Sequence, residues 1–118
     1  MKGANANIES VLDKLVECTT RGIQVELILR GGHKIRRFRA HEVIAPKGGL
    51  STPGEARARG IVWPEHGTRR DEYVQVRDIE SVRAESLTAY FASEEFFERH
   101  PLPPNWLRLA RCPAGAKG

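Results

Sequence analysis

Apolar residues first recur along this chain at helical spacing. Ile8, Val11, Leu12, Leu15 and Val16 fall at i, i+3, i+4, i+7 and i+8 and line one face, while Glu9, Asp13, Lys14 and Glu17 occupy the other. The pattern predicts a helix over residues 6–18, capped near Asn5 or Asn7 and ended at Thr19-Thr20-Arg21-Gly22. The period then changes to two. Ile23, Val25, Leu27 and Leu29 alternate with Gln24, Glu26 and Ile28, as in a strand with one buried face. Gly31-Gly32 suits a tight turn with positive φ, and Lys34 to His41 returns as a second strand, so a hairpin is expected. Within that strand Ile35 and Phe38 are three apart and would face opposite ways if it were flat. A bulge near Arg36-Arg37 places both in one core and bends the strand.

A long loop follows from Ala45 to Gly54, including the 46–54 stretch rich in Gly and Pro. A third strand is predicted from Ala58 to Trp63, a turn over Pro64 to Thr68, a fourth strand from Glu72 to Arg77, and a corner at Asp78 leading to a closing strand up to Arg83. Residues 84–99 carry helical composition, with Leu87, Tyr90, Phe91 and Phe97 on an apolar stripe and Ser93 before Glu94-Glu95 as a cap for a second piece. Pro101, Pro103 and Pro104 stop it, Asn105 is expected to cap a last helical turn with Trp106, Leu107 and Leu109, and Pro113 to Gly118 reads as a frayed tail. The fold class expected is α+β: an N-terminal helix, a small, strongly bent, five-stranded antiparallel barrel, and a C-terminal helical arm. Residues 1–84 form helix plus barrel and 85–118 the arm and tail, all in one domain.

Composition narrows the picture. A chain of 118 residues, 40% hydrophobic and 29% charged, suits one globular core and leaves little room for another. It has no apolar run that would span a bilayer, and Met1-Lys2-Gly3-Ala4-Asn5 lacks the core of a signal peptide, so a cytoplasmic address and no membrane partner are expected. The net charge of +4 is unevenly placed: residues 21–83 hold 13 basic and 8 acidic side chains, and both ends are near neutral. Cys18 and Cys112 are not spaced as metal ligands and are expected to be free thiols; the dispersed His33, His41, His66 and His100 suggest no metal site.

Two basic groups are candidate binding residues. Arg30, Lys34, Arg36, Arg37 and Arg39 stand without an acid among them, and on the second strand Arg37 and Arg39 share a face, giving a positive strip that suits phosphates. The plainer purpose for the same strip is protection of a strand edge from aggregation. Arg57, Arg59, Arg69 and Arg70 flank Trp63 and Tyr73, an interleaving that suits single-stranded nucleic acid because bases stack while phosphates are neutralised; Trp63 before Pro64 equally suits a core residue at a strand end. Neither a nucleophile with its base nor a phosphate loop is legible: Gly31-Gly32 is a hairpin turn and Gly48-Gly49 leads into Leu-Ser-Thr-Pro. The chain is therefore expected to be a non-enzyme without cofactor.

The helix, then Val25 to Lys34, then Ala40-His41-Glu42-Val43-Ile44, then Tyr73 to Val82 together resemble a small Sm-like barrel. The order is most similar to the Rof family, small Sm-like proteins that inhibit the transcription terminator Rho. The likeness covers about residues 8–84; the 46–54 loop is longer, and 85–118 has no counterpart. The resemblance implies a regulatory binding protein, but the family meets Rho through an acidic surface and this chain is basic. Three functions follow as expectations. The first is a regulator whose basic face binds nucleic acid, RNA over duplex DNA, or a nucleic-acid-handling protein such as a transcription factor. The second is an oligomeric binder of an anionic small molecule such as a nucleotide, and the third an inhibitor of an acidic protein. Assembly through strand edges or the 86–113 arm belongs to the same set of expectations.

Overall fold

Helix α1 (Gly3–Arg21) opens the chain and turns Val11, Leu15 and Cys18 inward at the spacing the sequence predicts. The computed structural model describes residues 3–48 and 53–115, with the side chains of 3–6 and of Leu87 outside that description. The helix starts earlier than its apolar stripe, so Asn5 and Asn7 lie within it rather than ahead of it, and the Asn7 amide donates to the Glu80 carbonyl at 3.4 Å. Gly22, at φ 70°, ends it and returns its N–H to the Thr19 carbonyl at 3.1 Å. No helix among the described residues is long and apolar enough to cross a membrane.

Strands β1 (Ile23–Leu29) and β2 (Lys34–Pro46) form the expected hairpin around Gly31 and Gly32, both at positive φ. Val25 pairs with Phe38 and Leu27 with Ile35, so β2 carries one residue more than β1 between these pairs. The extra residue is the expected bulge, and Arg37 within it sits at φ 58°. Ile35 and Phe38 are consequently both buried in the core. Strands β3 (Arg57–Val62), β4 (Arg70–Gln75) and β5 (Ile79–Ala89) complete a path β4-β3-β2-β1-β5, all antiparallel, with a 3-10 turn at Val76–Asp78 joining β4 to β5. The sheet is not closed: among the described residues its end strands β4 and β5 do not pair with each other.

The last third departs most from the sequence reading. Residues 84–89, expected as helix, belong to β5, because Val25 and Ile23 of β1 pair with Ala84 and Ala89. Only Glu94–Arg99 is helical (α2), and Ser93 caps it as expected, its Oγ accepting from Phe96 N–H at 3.3 Å. Asn105 caps no helix; it sits at φ 67°, and Trp106–Arg111 is a sixth strand, β6. The reason lies in β2. Its residues 34–38 pair with β1, but the strand runs on to Pro46, and β6 takes the free edge at 42–46 opposite β3. The tail is ordered through its first proline, whose carbonyl accepts from Ala92 N–H at 2.9 Å; residues 116–118, like 49–52 of the long loop, lie outside the described residues.

The core between α1 and the sheet is built on Leu15, Val25, Leu27, Phe38, Val43 and Ile79. A second buried group, Ile44, Ile61, Tyr90, Phe96 and Cys112, lies apart from it. Phe96 of α2 meets the His41 ring of β2 at 4.8 Å between centroids, so the short helix covers the outer side of the sheet.

Candidate functional site

β1 shows first how the charged residues are arranged. The alternation predicts one buried face, yet Gln24 and Glu26 on the opposite face are buried as well. Arginines cover them: Arg39 Nε donates to the Gln24 amide oxygen at 2.9 Å, while Arg36 and Arg83 reach Glu26 at 3.2 and 2.7 Å. Glu42 of β2 is likewise fully buried, held by Arg59 and by Arg108 Nε at 2.8 Å.

Nine of the 14 arginines form such ion pairs. Arg30, Arg37, Arg39, Arg57 and Arg69 have no carboxylate partner among the described residues, and three of these five converge on Trp63. Arg37 Nε donates to the Trp63 carbonyl at 2.5 Å, and Trp63 N–H returns to the Arg37 carbonyl at 3.0 Å. The Arg39 and Arg69 guanidiniums lie 4.0 and 3.3 Å from the indole centroid. Two planar cations cannot share one ring face at these distances, so they take opposite faces. Arg39 has its pKa lowered, first by burial and then by its like-charged neighbours Arg37 and Arg69. Such a cation, short of countercharge, favours an incoming anion.

The bulge shapes the surface around this centre. Arg37, Arg39 and Arg83 line an open groove of about 610 Å³ between β2 and β5, with Gln24, Glu85 and Ser86. Glu85 is the groove's carboxylate and accepts the Arg37 backbone N–H at 2.7 Å. Across the Arg37 ridge a second groove of about 400 Å³ is lined by Lys34, Arg36, Arg70 and Glu65. A non-glycine residue in the left-handed region, placed between two basic grooves, is strained backbone of the kind found at binding sites.

The structure therefore gathers Lys34, Arg36, Arg37, Arg39, Trp63, Arg69 and Arg70 on one surface. Arg30 stands apart, its Nε on the Arg77 carbonyl at 2.8 Å. Arg57 and Tyr73 hydrogen bond to each other elsewhere, with Arg57 also 4.8 Å from the Trp106 ring. Arg59 is no surface residue: only 7% exposed, it pairs with Glu42 and donates to the His100 carbonyl at 2.9 Å. Arg83 and Gln24 were missed by the sequence reading. The β1–β5 register that sets Arg83 beside Glu26 is non-local, and no motif announces it.

Both cysteines are free and buried. Among the described residues no group of three His, Cys, Asp or Glu side chains is placed to hold a metal. Comparison with protein families, curated proteins and solved structures finds no match for this chain.

Proposed function

We propose that this chain binds single-stranded nucleic acid, RNA over duplex DNA, across the surface centred on Trp63, and acts as a regulator by binding rather than by catalysis. The observation that carries the reading is the convergence of three arginines without carboxylate partners on Trp63, Arg39 and Arg69 at its indole and Arg37 at its backbone carbonyl. A single strand offers phosphates to such cations and unstacked bases to such a ring, whereas duplex bases stay stacked. The two basic grooves on either side of Arg37 provide a path for a backbone. The helix-first order, the bent β2 and the 3-10 corner before β5 support an Sm-like barrel as the underlying architecture.

The test is fluorescence anisotropy with labelled short RNA, single-stranded DNA and duplex at low and moderate salt. Single strands are expected to bind best, with affinity falling steeply as salt rises. Absence of binding at low salt, or affinity unchanged in the Arg37→Glu, Arg39→Glu double variant, overturns the reading. The volume of the groove at Arg37, Arg39 and Arg83 favours a second reading, an anionic nucleotide as the ligand. A thermal-shift series with nucleoside phosphates in place of oligonucleotides distinguishes the two, since a bound ligand stabilises the fold in proportion to the logarithm of its concentration.

A further inference from the structure

We propose that the pocket between Trp63 and α2 is a base pocket for guanine, with Glu95 as the acceptor that reads the base's Watson–Crick edge. The inference rests on the nucleic-acid reading above and adds the base that the site selects.

Trp63 and Ile61 contribute the apolar part of this cavity of about 240 Å³, while Arg69, Asp71, Glu95 and Arg99 supply its polar walls. A base entering here lies against the indole in the place of Arg69, which is exposed, sits in the β3–β4 turn and has no carboxylate partner to hold it there. The acceptors in the pocket are not equivalent. Both Asp71 oxygens are engaged, Oδ1 by Arg99 Nη2 at 2.9 Å and Oδ2 by Arg99 Nε at 3.0 Å and His100 Nε2 at 2.7 Å. Glu95 makes no hydrogen bond or ion pair among the described residues, so its carboxylate is the acceptor open to a ligand.

A carboxylate accepts two parallel donors through its two oxygens, the geometry it uses with arginine. Guanine is the base whose Watson–Crick edge presents two adjacent donors, N1–H and the 2-amino group; adenine, cytosine and uracil present one donor each there, beside acceptors that a carboxylate repels. Arg69, moved off the ring by the base and without a carboxylate partner, can donate to guanine's O6, the acceptor that guanidinium groups commonly contact. Because Glu95 is exposed, a base that lacks one of these donors loses a modest factor rather than the large one of a buried site.

The experiment compares short oligoadenylate strands carrying a single central guanine, inosine or adenine, by anisotropy at one salt concentration. Inosine keeps N1–H and O6 and lacks only the amino group. The guanine strand is expected to bind about tenfold more tightly than the other two. Glu95→Gln, an exposed side chain whose exchange is checked by circular dichroism, is expected to abolish the difference between guanine and inosine. Equal binding of the three strands by the unmodified protein, or a guanine preference that survives Glu95→Gln, overturns the guanine pocket and leaves the nucleic-acid reading standing. Absence of binding by every strand at low salt overturns both.

Discussion

The buried His41 ring accepts the backbone N–H of Ser93 on Nε2 at 3.1 Å, across 52 positions of sequence. Its Nδ1 lies 3.0 Å from the Arg39 carbonyl, so the neutral ring carries its proton there and both nitrogens are satisfied. Ser93 is in turn the cap of α2, and the aromatic rings of Tyr90, Phe96 and Phe97 surround the imidazole. One side chain of β2 thus ties the start of α2 to the sheet.

Protonation of His41 should loosen that tie. Burial, the largest cause, lowers its pKa from 6.5; the hydrogen bond with the Arg39 carbonyl opposes it, the Arg39 charge lowers it further, and Asp71 and Glu42 raise it least. The unfolded chain takes up the proton first as pH falls. The stabilisation is therefore complete above about pH 6.5 and is lost as pH drops through the lower native value. Melting temperature is expected to fall on acidification from pH 7 to 5, and a His41→Phe variant, less stable at pH 7 by roughly 1–3 kcal/mol for the unpaired Ser93 N–H, should show a flatter profile in that window.

Glu42 is enclosed between Arg59 and Arg108, and its removal leaves the buried Arg59 guanidinium without countercharge. Glu42→Ala should cost about 3–5 kcal/mol in urea unfolding. Glu17→Ala, which breaks an exposed pair with Arg21 on one helix face, should cost about 0.5 kcal/mol or less.

Gly60 on β3 faces the β2 backbone so closely that a Cβ would overlap the Arg39 carbonyl and come within 2.7 Å of Ala40 Cα. Gly60→Ala should destabilise at the upper end of the roughly 1–3 kcal/mol typical of an overpacked site. Gly31, at φ 93° with open space around it, pays only the conformational strain of a side chain there, about 1–2 kcal/mol. Equilibrium unfolding of the two variants should rank them in that order.

The Cys112 thiol is pushed up to about 11 by burial, and the Cys18 thiol is raised for the same reason. Neither should react with a thiol reagent at pH 8 in the native protein, and both should react at once in denaturant. Rapid modification of the folded chain would contradict the packing of β6 and α1.

Arg39→Ala should lower the slope of log affinity against log salt by about one phosphate contact. Arg21→Ala, on α1 and paired with Glu17, should leave the slope unchanged.

Much of the fold is legible in local patterning. The stripe from Ile8 to Val16, the alternation of β1, the Gly31-Gly32 turn and the uneven Ile35–Phe38 spacing report backbone preferences within a few residues. Residues 84–89 and 106–111 were misread for the complementary reason. Their composition suits a helix, but β1 and the unpaired stretch of β2 need backbone partners, and hydrogen-bond demand from distant strands outweighs propensity.

The sequence by itself determined that a helix precedes a bent antiparallel hairpin meander and that positive charge concentrates in its middle. Only the tertiary structure decided which charges are available. Arg59 and Arg39 look alike along the chain, yet strand register sets one against Glu42 and the other against Trp63. Ion pairing depends on distances that non-local register creates, so the arginines left without carboxylates are identified by the folded arrangement and by nothing shorter in range.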